Sequence, residues 1–241
     1  MKANKKTTRK AQPERRSAAD KLLGENLNFS SAEAYKLLRT NLLFCLPAEE
    51  DNHCPVVGVT SSIQGEGKST TTVNLAYMLA EDGKRVCLIE GDLRAPTMSN
   101  RIKVNQPVGL SHVLAGLKTD RNVLATTPLH PNIRVISAGE MPPNPAELLG
   151  SPRMGKLIEL LRGMFDFILV DLPPVTVVAD ALAVSGVLDG MLVVVGEGVV
   201  TKHELSDAMA RLNIIHDKIL GFAVTHSGTR KGGQYTYAAK N

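Results

Sequence analysis

The sequence predicts an α/β fold, a doubly wound and mostly parallel sheet with helices on both faces. Three observations lead there. From Pro55 onward short apolar runs alternate with helical stretches, the order that parallel strands joined by crossover helices produce. The runs are rich in Val, Ile and Leu, as strands buried on both faces must be. The chain has 241 residues, 43% hydrophobic, with 4% aromatic and no Trp, so its core is aliphatic and large enough for one domain with tails.

In chain order, residues 1–28 are charged, then polar, without periodicity, and read as a flexible basic arm. The folded domain spans residues 29–226. Ser30-Ser31-Ala32-Glu33 is a capping box that opens a helix to about Leu46, with Tyr35, Leu38, Leu42 and Leu46 as its core-facing stripe. Residues 47–54 form a turn or linker. Strands follow at Val56–Thr60, Arg85–Glu90, Ile133–Ser137, Phe167–Asp171, Met191–Gly196 and Ile219–Thr225. Helices are expected over about 67–82, 109–116, 145–163, 179–187 and 202–216. Residues 227–241 hold three glycines and no apolar pattern, and read as a mobile tail.

The net charge of +4 is unevenly spread: residues 1–16 carry +6, leaving −2 for the rest. The basicity therefore belongs to an arm that can touch an anionic surface, and no nucleic-acid partner is expected. Cys45, Cys54 and Cys87 are odd in number without metal-ligand spacing, and Cys87 reads as core. The histidines are scattered. No run reaches the roughly 18 apolar residues of a membrane span, nor does the N-terminus resemble a signal peptide, so the expectation is a cytoplasmic protein.

The chemistry lies at the ends of three strands. The first runs into Ser62-Ile63-Gln64-Gly65-Glu66-Gly67-Lys68-Ser69-Thr70, and a helix begins there. Gly65 and Gly67 let the backbone approach phosphates, Lys68 can reach the β- and γ-phosphates, and the Ser69 hydroxyl can ligate Mg²⁺. Residues Gly65 to Thr70 are thus a P-loop for ATP. Ser62 stands where the motif wants Gly, and the context of strand before and helix after carries the assignment. The second strand ends in Glu90-Gly91-Asp92-Leu93-Arg94, with both carboxylates at the sheet edge where ligands bind. They can order Mg²⁺ or accept a proton from an attacking hydroxyl. The third ends in Asp171-Leu172-Pro173-Pro174, a Walker-B arrangement whose buried acid holds Mg²⁺ through water.

Together these segments resemble the cytoplasmic bacterial tyrosine kinases (BY-kinases) of capsule and exopolysaccharide systems, of the CpsD/CapB type. The similarity covers about residues 30–226 and includes Glu33 to Asn41, the P-loop, Gly91 to Arg94, Pro142 to Leu149, Asp171 to Pro174, Asp180-Ala-Leu and Asp189-Gly. Partitioning-type ATPases usually carry a signature lysine where this chain has Ile63, which favours the kinase branch.

The resemblance implies an ATP-dependent protein-tyrosine autokinase with Lys68, Glu90, Asp92 and Asp171 at the catalytic centre, and Mg²⁺ held by Ser69, Asp92 and Asp171. It implies phosphoacceptors in the C-terminal tail, here Tyr235 and Tyr237, and subunits packed into a homo-oligomeric ring. The family's ring helix reads Glu-x-x-Arg-x-x-Arg; here it is Glu33, Lys36 and Arg39. A membrane-spanning activator of the chain-length-determinant class would recruit the protein to the inner face of the membrane, and a tyrosine phosphatase would oppose it. Four positions depart from the pattern: Glu90 replaces Asp, Thr225 replaces an adenine-contacting Asn, Lys36 replaces Arg, and the tail has only two tyrosines. Glu90 in particular predicts weakened activity, because small positioning errors in a metal shell are costly. The alternatives are a partitioning-type ATPase or nucleotide switch, and a weakly active or non-catalytic nucleotide-binding scaffold.

Overall fold

The computed structural model describes residues 23–46, 54–117 and 123–227. The arm up to residue 22 and the tail carrying Tyr235 and Tyr237 lie outside the described residues. Residues 23–28, read from sequence as the end of the arm, belong to the folded body. Leu23 is buried, and Gly24–Asn26 forms a 3-10 turn whose Gly24 N–H donates to Asn74 Oδ1 at 3.0 Å.

Seven strands form one sheet: β1 (Val56–Ser61), β2 (Val86–Glu90), β3 (Ala125–Thr126), β4 (Ile133–Ile136), β5 (Phe167–Asp171), β6 (Gly190–Gly196) and β7 (Ile219–Thr225). Their order is β3-β4-β2-β5-β1-β6-β7, and all pairs are parallel except β3 with β4. The short antiparallel β3 has no counterpart in the sequence reading, since two residues are too few to show alternation. The helices are α1 (Phe29–Cys45), α2 (Lys68–Glu81), α3 (Met98–Arg101), α4 (Leu110–Ala115), α5 (Pro145–Leu149), α6 (Pro152–Arg162), α7 (Asp180–Ala183) and α8 (Lys202–Leu212).

Alternation along the strands builds two cores. Val57, Val59, Leu88, Val135 and Leu169 face α1, α2 and α3 with Leu42, Val73, Leu75 and Met98. Val56, Ile89, Ile136, Ile168 and Val193 face the other way, toward Leu114, Leu157, Leu161, Ala208 and Leu212 of α4, α6 and α8. Successive side chains of a strand point to opposite faces, so both faces of each central strand must be apolar. Cys87 sits in this core as read, and burial pushes the Cys54 thiol up to about 11.

Three boundaries differ from the sequence reading for local reasons. The N-cap of α1 is Asn28, whose side chain accepts from the Ser31 N–H, rather than the serines after it. The single helix expected over 145–163 divides into α5 and α6 because Pro152 cannot continue a helix, though it can open one. The end of the 202–216 segment tightens into a 3-10 turn, Asn213–Lys218, after α8. At the start of α8, Thr201 and Glu204 form a reciprocal capping box. Among the described residues no helix is long and apolar enough to cross a membrane.

Candidate active site

The C-terminal ends of β1, β2 and β5 meet at one crevice. In register, Asp171 lies beside Val59 of β1 on one side and Glu90 of β2 on the other. Ligands of open α/β sheets bind outside these strand ends, where the chain switches direction across the sheet.

The loop between β1 and α2 turns through Gly65 at φ +94° and Gly67 at φ +90°, left-handed conformations that other residues rarely adopt. A Cβ at Gly65 would meet nothing within 4 Å, so the loop opens onto free space there. Lys68 and Ser69 then begin α2, and the first N–H groups of a helix, which have no partner within it, favour a bound anion.

The loop is tied down from several strands. Glu66 is fully buried; its Oε1 accepts from the Ile63 N–H at 2.7 Å and its Oε2 from the Gly196 N–H at 2.8 Å. The Thr225 hydroxyl donates to the Glu66 carbonyl at 2.6 Å. From the other side, Thr176 donates to the Ser62 carbonyl, and the Thr60 hydroxyl to that of Pro173 at 2.7 Å. The sequence reading placed Glu66 in the phosphate cradle but missed its side chain's role as a clamp. No residue spacing announces a carboxylate bonded to a strand 130 residues away.

Lys68 crosses the crevice. Its Nζ lies 3.2 Å from Asp92 Oδ2, 3.5 Å from Asp171 Oδ1 and 3.3 Å from Ser69 Oγ. Asp171 is buried, and that burial, offset in part by Lys68, raises its carboxyl above the usual carboxylate range. Its second oxygen, Oδ2, is buried without a hydrogen-bond partner. An orphaned carboxylate oxygen beside a serine hydroxyl and a second acid is a donor set that fits Mg²⁺, which takes oxygen ligands and keeps several waters. Among the described residues no cluster of three or more His, Cys, Asp or Glu side chains forms a full metal cage. Asp92 also accepts from the Ala95 N–H at 3.0 Å, which fixes its orientation.

The remaining sequence-selected residues are engaged with other partners. Glu90 is buried at the end of β2, but its two oxygens accept from Met98, Ser99 and Ala138 instead of meeting Lys68. Arg94 makes a two-pronged pair with buried Asp180, at 2.9 and 3.2 Å, and so braces the loop after β2 against α7. Thr70 accepts from Arg101 Nη1 at 3.3 Å, which links α2 to α3. The helix α1 triad divides. Glu33 and Lys36 pair with each other at the surface at 2.8 Å, while Arg39 turns inward to the Met78 carbonyl at 2.9 Å and Asp82 at 3.4 Å. Phe29, Leu37, Leu43 and Phe44 are the exposed large apolar residues of that helix.

A family model described as a NUBPL iron-transfer P-loop NTPase, of the ParA group, matches residues 53–224. The tyrosine-protein kinase YwqD of Bacillus subtilis (strain 168) is 36% identical over 208 residues, covering 86% of each chain. The tyrosine-protein kinase CpsD of Streptococcus agalactiae serotype III (strain NEM316) is 32% identical over 190 residues, covering 78% of this chain and 79% of that one. The solved kinase domain of the Escherichia coli tyrosine kinase ETK superposes with a TM-score of 0.79 at 31% identity, over 90% of this chain and 84% of that one.

Proposed function

We propose, from the premise that this chain belongs to the bacterial tyrosine kinases within the P-loop NTPases, that it transfers the γ-phosphoryl group of ATP to protein tyrosines. The observation that carries the reading is Lys68 Nζ, held between Asp92 at 3.2 Å and Asp171 at 3.5 Å at the mouth of the phosphate loop.

The loop from Gly65 to Thr70 binds the phosphates through backbone N–H groups and the start of α2. Lys68 leaves its acidic partners for the β- and γ-phosphates and offsets the charge of the transferring group. Ser69 and Asp171, with Asp92 beside them, would hold Mg²⁺, which supplies charge neutralisation between the terminal phosphates. Asp92 accepts the proton of the tyrosine hydroxyl. The phenolic oxygen forms its bond to Pγ as the bond from Pγ to the bridging oxygen breaks, and the electron pair leaves with ADP. Phosphoryl transfer needs mostly positioning and charge stabilisation, which this small set provides.

The acceptors in this reading are Tyr235 and Tyr237 of a neighbouring subunit, in a homo-oligomer to which Glu33 and Lys36 contribute. The protein works in capsular or exopolysaccharide synthesis with a membrane-spanning activator, and a phosphatase resets it. Incubation of the purified protein with ATP and Mg²⁺, with and without the activator's cytoplasmic tail, tests this. Phosphate on Tyr235 or Tyr237 that is lost in Lys68→Met supports transfer. ATP hydrolysis with unmodified tyrosines would replace it with an ATPase or switch, and nucleotide binding without turnover with a scaffold.

A further inference from the structure

The phosphate loop is bordered differently on its two sides. Toward β2 and β5 stand Asp92 and Asp171, which Lys68 Nζ meets at 3.2 and 3.5 Å, and there the proposed transfer takes place. On the other side the loop is bonded to the ends of β6 and β7, through the Gly196 N–H at 2.8 Å and the Thr225 hydroxyl at 2.6 Å. A nucleotide whose terminal phosphate lies beside Lys68 runs across the loop away from the acids, so its base comes to rest over the β6 and β7 ends. Two residues border that ground. Val199, 36% exposed, sits against Gly196 in the turn after β6, and the Glu197 N–H donates to the Thr225 carbonyl at 2.9 Å, which ties that turn to β7. His226 follows β7 directly; it is exposed and takes φ +58°, a left-handed conformation uncommon outside glycine.

The hydrogen bonds around Thr225 fix which ring nitrogen of His226 carries a proton. The Glu66 carbonyl can only accept, so the Thr225 hydroxyl spends its one proton there. His226 Nδ1 lies 3.0 Å from the same hydroxyl oxygen, which has only lone pairs left, so Nδ1–H is the donor of that contact. In the neutral imidazole the second nitrogen, Nε2, is then a bare acceptor. Thr225 has no proton to offer a base, and the ring beside it offers a lone pair. Adenine presents an exocyclic amino group, a donor, where guanine presents an oxygen.

We infer that His226 is the residue that selects the base: its Nε2 accepts from the adenine amino group, with Val199 as the apolar neighbour of the ring. The inference rests on the nucleotide half of the kinase reading and assigns its choice of base. It is tested by calorimetry on the full chain with Mg²⁺ at about pH 8. The probes are ADP, inosine diphosphate, which has an oxygen in place of the amino group, and pyrophosphate, which has no base. The parent binds ADP about tenfold tighter than inosine diphosphate, the worth of one hydrogen bond. His226→Ala and His226→Phe bring ADP down to the inosine level and leave pyrophosphate unchanged. His226→Asn, whose amide oxygen accepts and which tolerates the left-handed backbone, keeps part of the preference. Equal binding of ADP and inosine diphosphate by the parent overturns the assignment. So does a preference of about tenfold that survives in His226→Ala, which would give the amino group to another acceptor such as Glu197. A matching loss of pyrophosphate affinity would reduce His226 to a brace of the loop through Thr225. Phosphate transfer does not enter the readout, so a parent inactive as a kinase is judged by the same affinities. One that binds neither ADP nor pyrophosphate loses the phosphate loop, and this assignment with it.

Discussion

The Thr225 hydroxyl donates to the Glu66 carbonyl at 2.6 Å, so the last residue of β7 holds the phosphate-binding loop in place. The sequence reading expects an adenine-contacting Asn at the place of Thr225. The Thr225 side chain instead packs under Gly67, where a Cβ would come within 3.6 Å of it. With the Glu66 carboxylate bonded to the Ile63 and Gly196 N–H groups, the loop is fixed before any nucleotide arrives. A preformed loop saves the ordering cost on binding.

Glu66→Ala therefore strips one buried N–H group, that of Gly196, and one half-buried group, that of Ile63, of their acceptor. Each unmet donor costs about 1–3 kcal/mol, and urea unfolding is expected to show a loss in that range or above it. Affinity for ADP should fall as well, because the loop loses its tie to β6. Thr225→Val removes the bond to the Glu66 carbonyl and an exposed contact with His226 Nδ1 at 3.0 Å and keeps the shape, so its cost is about 1–2 kcal/mol. If Glu66→Ala proves no worse than Thr225→Val, the carboxylate clamp is not what holds the loop.

Asp171 sets stability against function. Its carboxyl is raised from the ordinary value of 3.8, chiefly by burial, so folding disfavours its charged form. A raised acid contributes stability below its unfolded pKa and loses it as pH rises through the folded one. At neutral pH the charge is therefore a burden, which Asp171→Asn removes. The variant is expected to melt higher than the parent without nucleotide at about pH 7, with the difference shrinking toward pH 3.8. With ADP and Mg²⁺ the order should reverse, since the parent gains ligand stabilisation that the variant lacks. A variant that melts lower in both conditions would mean that the contact with Lys68 outweighs desolvation.

How far this site could be read from sequence depended on whether a role was local. Lys68, Ser69 and Asp171 were legible because a strand, a loop and a helix in that order fix where such residues go. The alternation in β1, β2 and β5 likewise announced a sheet buried on both faces. Glu90 was legible as an acid at the sheet edge but not in its partners, because Met98, Ser99 and Ala138 reach it only through the fold. The inward turn of Arg39 was hidden for a similar reason. Spacing of three along α1 puts it on the side of Glu33 and Lys36, yet α2 offers it the Met78 carbonyl.

The pair Arg94 and Asp180 predicts an asymmetry. Asp180 is fully buried, whereas Arg94 keeps 38% of its side chain exposed. Arg94→Ala leaves a buried carboxylate without its two-pronged partner, and the loss of hydrogen bonds to a charged group costs about 1.5–3 kcal/mol. Removing both side chains in Arg94→Ala/Asp180→Ala leaves no stranded charge, so the double variant is expected to be more stable than Arg94→Ala alone. Additive losses in a double-mutant cycle of unfolding midpoints would show that the two do not act as a pair.

Arg85 and Asp166 give the pH dependence its clearest sign. Asp166 accepts from Arg85 Nη2 at 2.6 Å and from the Arg85 backbone N–H at 2.7 Å, which pins the start of β2 beside that of β5. The arginine holds the Asp166 carboxyl below its ordinary 3.8. A depressed acid contributes stability above its unfolded pKa and loses it as pH falls through the folded value. The stability gap between the parent and Asp166→Asn should thus be full at about pH 6 and narrow below 3.8. Because the pair lies at the surface, added salt should narrow it too. Urea midpoints of both proteins at about pH 6 and pH 3 measure this directly. A gap that stayed constant across that range would mean that it does not arise from the carboxylate's charge, and would leave the guanidinium's ion pair with no net part.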